Sequence, residues 1–143
     1  MNIWLKLIGS SDQPLTDPPH NGIWAKDYVG FRKAVQPGIR KGDHLFLYAP
    51  GGSRRIFALA EAVTDPLPDK TFNPHEVGSC PWKIQVWYLV NLPVTLGITI
   101  DDIGSPTREL TRSIRQQSHI KLLPEESQSA YKKLKDRAAS IRK

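Results

Sequence analysis

Apolar and polar residues alternate over residues 2–8. Ile3, Leu5 and Leu7 face one way and Trp4 and Lys6 the other, the two-residue period of a strand. The alternation is cleanest over 82–91, with Ile84, Val86, Tyr88 and Val90 set against Lys83, Gln85, Trp87 and Leu89. Residues 44–49 form a short apolar strand and 55–63 a second, rich in small residues. The intervening Pro50, Gly51, Gly52 and Ser53 make the turn of a hairpin. Ala58 and Ala60 share a face and predict a close neighbour there. A last short strand is expected over 119–122.

Three segments read as helical. Residues 28–35 have Asp27 as N-cap and Phe31 and Val35 four apart, with Pro37 and Gly38 as the stop. Ser105 followed by Pro106 opens a second helix to about Arg115, with Leu110 and Ile114 inward. Pro124, Glu125 and Glu126 start a terminal helix whose first-turn acids suit the macrodipole. Its buried stripe is expected at Tyr131, Leu134, Ala138 and Ile141. Residues 10–20 and 64–81 are rich in turn formers and read as loops. The order is β, short α, β-hairpin, long loop, β, α, β, α. Strand spacing is too irregular, and helices too few, for a doubly wound sheet. The expected class is α+β: a small mixed β-barrel of about five to six strands with flanking helices.

At 143 residues the chain suits one domain, 1–143, with a single core. The one cysteine, Cys80, excludes an internal disulfide framework and multi-cysteine metal sites. No apolar run reaches the roughly 20 residues that span a bilayer. The N-terminal residues lack a basic n-region and a cleavage-like site, so the expected compartment is the cytoplasm.

Charge adds a direction. The net charge is +6, and it is unevenly placed. Residues 24–55 hold seven basic residues against Asp27 and Asp43, and residues 101–143 hold ten basic against six acidic. If the two segments converge they form a positive face suited to a polyanion.

Catalytic signatures are lacking. The four histidines, His20, His44, His75 and His119, have no helical ligand spacing, so neither a metal nor a cofactor is expected. His75 and Cys80 make only two ligands. Gly51, Gly52, Ser53, Arg54 and Arg55 resemble a phosphate loop in composition alone, because no helix follows. Asp101 and Asp102 read as a helix-start or turn feature. No nucleophile elbow, Walker loop or dinucleotide fingerprint occurs. The expectation is a binding protein rather than an enzyme.

Several aromatics fall at loop–strand junctions: Trp24 before the first helical segment, Tyr48 at a strand end, Phe72 in the long loop and Trp82 directly after it. Large rings at such places either cap a barrel or line a cage for a flat, extruded ring.

Taken in order, these segments resemble the EVE domain, a member of the PUA-like superfamily beside the YTH and ASCH domains. The likeness rests on Trp24, then Arg40 to Tyr48 (Arg-Lys-Gly-Asp-His-Leu-Phe-Leu-Tyr), then Ile56 to Val63 (Ile-Phe-Ala-Leu-Ala-Glu-Ala-Val) with Pro66. Residues 82–90, 91–94, 110–123 and the Leu123-Pro124-Glu125-Glu126 start of the last helix follow. The resemblance implies a PUA-like barrel that takes one flipped, modified base of DNA or RNA into an aromatic pocket. In some EVE proteins a partner carries nuclease or modification activity. It places Trp24, Lys26, Tyr28, Tyr48, Phe72 and Trp82 around the base, and Arg32, Lys33, Arg54, Arg55, Arg112 and Arg115 on phosphates. Two departures stand out. The Val-Arg-Asn run that often follows the family's tryptophan is replaced by Ala25, Lys26, Asp27 and Tyr28, and Ala49 and Pro50 replace polar residues after Tyr48. The alternatives are a general RNA-binding PUA-like module and a small-molecule sensor or interaction subunit.

Overall fold

A computed structural model describes residues 1–8, 27–31, 35–49, 54–75, 80–93, 96–103, 110, 114 and 119–141. Their strands are β1 (Ile3–Leu7), β2 (Tyr28–Phe31), β3 (His44–Ala49), β4 (Arg55–Ala62), β5 (Leu67–Pro68), β6 (Trp82–Asn91), β7 (Ile98–Thr99) and β8 (His119–Lys121). A 3-10 turn covers Ile100–Asp102, and one long helix, α1, covers Pro124–Ile141. The strands form one sheet in the order β2-β6-β4-β3-β1-β8, with β5 added to β6 and β7 to β4. Every pairing is antiparallel except β1 with β3, which makes the sheet mixed.

Both faces of this sheet are apolar, and each carries its own core. On one face Leu5, Phe46, Tyr48, Ile56, Leu59 and Ile120 pack under Ala130, Leu134 and Ala138 of α1, with Leu110 and Ile114 in the same cluster. On the other, Val29, Phe31, Leu45, Leu47, Ala49, Phe57, Ala58, Ala60, Ile84 and Val86 pack together. The sheet curls toward this second face. Phe31 on β2 and His119 on β8 meet ring to ring, 5.2 Å between centroids, although β2 and β8 are the two ends of the strand order. The result is a half-barrel with the C-terminal helix against its outside. Ala49, Ala58, Ala60 and Ala62 supply the small residues that tight curvature needs inside it, as the spacing of Ala58 and Ala60 predicts.

The segment expected as a helix over 28–35 is instead the strand β2. Val29 and Phe31 are buried at period two and lie opposite Ile84 and Trp82 of β6. Tyr, Val and Phe favour a pleated surface, and Gly30 weakens a helix. Gly30 also leaves room for Cys80: a Cβ there would lie 2.8 Å from Cys80 Sγ, so the thiol would have to shift. Val35, expected to pair with Phe31, is 78% exposed. The expected helix over 105–115 lies largely outside the described residues, but Leu110 and Ile114 are helical and buried.

The start of α1 is more specific than a dipole effect. The Leu123 N–H donates to Glu126 Oε1 at 2.8 Å, the reach-back half of a capping box, and Glu126 is fully buried. Its apolar stripe runs through Ala130, Leu134 and Ala138. Ile141 is exposed, so the stripe stops a turn earlier than the spacing suggests. The turn before β3 is as expected: Gly42 adopts φ 93° and Asp43 launches the strand. Among the described residues no helix is long and apolar enough to cross a membrane.

Candidate functional site

The side chains with the most chemistry gather where the two ends of the sheet approach. β1 turns Trp4 and Lys6 to the inside of the curl, because Leu5 between them faces α1. β8 lies antiparallel to β1 with His119 directly opposite Lys6, so both point the same way. β2 contributes Phe31, and β6 places Trp82 directly opposite it. The contacts are close. The Lys6 ammonium sits 4.8 Å from the Phe31 ring centroid. His119 stands edge-on to Phe31 at 88° and tilts against Trp4 at 5.8 Å. Phe31 and Lys6 are buried, whereas Trp4, Trp82 and His119 are half-buried and form the accessible layer. Two half-exposed indoles, an imidazole and an ammonium offer ring faces for stacking and N–H donors for hydrogen bonds.

Asp43 fixes the Trp4 end of this cluster. Its Oδ2 accepts the Trp4 indole N–H and the Arg40 N–H, both at 3.0 Å, and its Oδ1 accepts the Asn2 N–H at 3.0 Å. Burial alone would raise its pKa. The bonds from Asn2, Arg40 and Trp4 outweigh that and hold it below the ordinary carboxylate value.

The expected site residues are distributed unevenly. Trp24, Lys26, Arg32, Lys33, Arg112 and Arg115 lie outside the described residues. Trp82 lies in the cluster. Tyr28 does not: it is three residues before Phe31 on a strand, so it faces the opposite side of β2. There Lys83 Nζ sits 4.5 Å from its ring and bonds Asp69 Oδ2 at 3.0 Å. Hydrogen bonds from Thr71, then from Lys83, hold the Asp69 carboxyl at about 2, and Asp69 in turn raises the Lys83 ammonium. Phe72 is 40% exposed, beside that outer group in sequence.

Tyr48 is a correction. It is 2% exposed and packs on the helix-covered face, with Phe46 and Leu59. Even-numbered positions of β3 face α1 and odd-numbered ones face the curl, so Tyr48 is core and cannot close a cage with Trp82. Arg55 is also committed elsewhere, donating from Nη1 to the Gly97 carbonyl at 3.0 Å and tying β4 to β7. Arg54 is exposed, at φ 48°, and stays available to a phosphate.

Lys6 and His119 were not singled out by sequence reasoning. The signal for Lys6 was present, since the alternation of β1 gives it the same face as Trp4. His119 carried no comparable signal. A separate shallow groove of about 320 Å³ lies between α1 and β7, lined by Ile98, Asp102, Lys133, Asp136, Arg137 and Ser140. It mixes both charge signs and has no ring, so it offers nothing on which a base could stack.

No family model matches the chain. No curated protein matches it either. Among solved structures it is similar to Rpa0253 from Rhodopseudomonas palustris, solved by NMR, with 15% identity and a TM-score of 0.55 over 99% of this chain and 95% of that one. It is also similar to Atu2648 from Agrobacterium tumefaciens, solved by X-ray crystallography, with 18% identity and a TM-score of 0.56 over 92% of each chain. These likenesses extend over nearly the whole chain and concern the fold.

Proposed function

We propose that this chain is a PUA-like domain of the EVE type, acting in the cytoplasm. It binds nucleic acid by taking one flipped-out, methylated base against aromatic side chains, without catalysis. The observation that carries this reading is the grouping of Trp4, Trp82 and His119 over buried Phe31 and Lys6, at the gap between the two end strands. The segment bearing Trp24 and Lys26 joins Ile8, which packs on the inner face, to Asp27, whose carbonyl accepts the Val86 N–H. It therefore starts and ends beside the curl. Trp24 stacks on the base in this reading, with Trp82 as the second ring. The basic segments hold phosphates through Lys26, Arg32, Lys33, Arg54, Arg112 and Arg115.

The test is binding of labelled single- and double-stranded DNA and RNA. Each is made with and without methylated cytosine, adenine or guanine, and binding is measured at two salt concentrations. One modified base is expected to bind best. Trp24→Ala is expected to lose about tenfold or more, the value of one base–aromatic stack. Binding should also weaken as salt rises, in proportion to the phosphates contacted. Equal binding to every oligonucleotide, unchanged by Trp24→Ala, leaves only a general basic module. No binding at low salt rejects nucleic acid as the ligand.

A further inference from the structure

We infer that Trp87 and Glu61 form a docking point for an arginine-bearing segment of a partner protein. They lie on the helix-bearing face of the sheet. Trp4, Trp82 and His119 gather on the other face, at the seam between the sheet's two ends. The docking point stands whether or not that seam takes a base.

Register sets the site. Glu61 of β4 lies directly opposite Trp87 of β6 and His44 of β3. Opposed residues of an antiparallel pair share a face. His44 Nδ1 meets the Tyr131 hydroxyl of α1, so the shared face is the one that carries the helix. Three side chains therefore stand in a row across three strands, and exposure rises along the row. The His44 ring packs against Tyr131 and is mostly covered. The Glu61 side chain is 43% exposed and Trp87 is 67% exposed.

Trp87 is the anomaly. Tryptophan is highly buried on average, and its ring stabilises a fold only where water is kept off it. β6 is an inner strand, between β2 and β4, yet this ring stands out from it. No hydrogen bond or ring contact joins Trp87 to another described residue. Val63, two residues past Glu61, and Leu89, two past Trp87, are exposed as well. The Glu61 carboxylate makes one loose approach among the described residues, Oε1 to His44 Nε2 at 3.6 Å.

A carboxylate beside an open indole attracts a cation and repels a phosphate. In a chain of net charge +6 this spot has the wrong sign for a nucleic-acid backbone. A guanidinium fits both groups at once. Its plane lies flat on the indole while its forked N–H groups reach the carboxylate. A lysine ammonium has no flat face to lay on the ring. Val63 and Leu89 provide for apolar side chains flanking the arginine, which favours a peptide over a small free cation. Trp and Arg are also the residues that dominate binding energy at protein interfaces.

The experiment uses the full chain and a labelled, end-capped leucine–arginine–leucine peptide. The same peptide with citrulline, which has the shape of arginine without its charge, is the comparison. Affinity is read by anisotropy and location by the NMR signal of the Trp87 indole N–H, assigned from its loss in Trp87→Ala. The arginine peptide is expected to bind about tenfold more tightly than the citrulline one and to shift that signal. Glu61→Gln is expected to bring the two peptides within about twofold of each other, and Trp87→Ala to weaken the arginine peptide about threefold or more. Both side chains are exposed enough for the variants to fold. Equal binding of the two peptides, no binding at millimolar peptide, or an arginine preference unchanged in both variants overturns the proposal. A Trp87 signal that moves on diluting the protein alone assigns the surface to a second copy of the chain, and weaker oligonucleotide binding by Trp87→Ala assigns it to nucleic acid. Either result overturns the proposal too. Oligonucleotide binding that is lost in Trp24→Ala and kept in Trp87→Ala separates this surface from the base-binding reading.

Discussion

Gly97→Ala is expected to destabilise the protein by about 3 kcal/mol, at the upper end of what overpacking a tight site costs. A Cβ at this position would lie 2.3 Å from the Ile56 carbonyl oxygen, 2.8 Å from its carbon and 3.0 Å from the Phe57 Cα. These are backbone atoms of β4, so no side chain can swing aside to make room. Relief requires β7 to move away from β4. That stretches the Ile56 and Ile98 pairing and the bond from Arg55 to the Gly97 carbonyl. Gly38→Ala is the control. Its Cβ would meet only the Trp4 ring at 3.5 Å, an ordinary contact, and the change should fall within about 0.5 kcal/mol. Chemical denaturation of the two variants beside wild type makes the comparison. A Gly97→Ala protein within 1 kcal/mol of wild type, on the same scale of about 3 expected for overpacking, means that β4 and β7 do not pack as described.

Asp43→Asn is expected to cost a similar amount, about 3 kcal/mol, through lost charge-assisted hydrogen bonds. All three groups that reach the carboxylate are donors: the Asn2 N–H on Oδ1, and the Trp4 indole and Arg40 N–H groups on Oδ2. An asparagine keeps one acceptor and turns an amino group toward at least one donor, leaving that donor unsatisfied in a part-buried site. At this chain length the loss corresponds to a fall in Tm of about 10 °C. The pH dependence has a definite sign. The folded-state pKa of Asp43 is held below the unfolded value of 3.8, so the carboxylate's contribution is present above pH 4 and disappears as the pH falls through the folded-state value. The gap between wild type and Asp43→Asn should therefore be constant near neutrality and narrow in acid. A gap that widens on acidification contradicts the bonding described for Asp43. The variant also releases the Trp4 ring, so its intrinsic fluorescence should change even where the protein stays folded.

Strands with one polar face were readable. The first half of β6 shows why: Ile84 and Val86 are buried with exposed Gln85 between them, whereas further on Trp87 and Leu89 are exposed although apolar. β3 shows the opposite. Covered by α1 on one side and by the curl on the other, it reads as an unbroken apolar run. Parity alone decides which residues face which way, and composition cannot supply it, so nothing in the run shows that Tyr48 faces α1 rather than the curl. β5 and β7 are two residues each, too short to show any period. In β2 the four-residue spacing of Phe31 and Val35 suggests a helix, but the preference of Tyr, Val and Phe for a pleated surface prevails. The seam cluster was half visible. Trp4 and Lys6 share a strand face that the alternation revealed. His119, more than a hundred residues away, joins them only through the order of strands in the sheet.

That order has a bearing on how the protein is made. β1 has β3 on one side and β8 on the other, the first in parallel register and the second antiparallel. It leaves the ribosome more than a hundred residues before its second neighbour, β8. Until residues 119–121 have been synthesised, one edge of β1 is a row of unmet N–H and C=O groups with an indole and a lysine on its inner face. Pairings this distant in sequence carry a large loop-closure penalty and slow the search for the native state. The nascent chain is therefore exposed to pairing with other strands until β8 has been made, and the β1–β8 pairing can close the sheet only after that. The contacts of His119 with Phe31 and Trp4 come into existence only with that step.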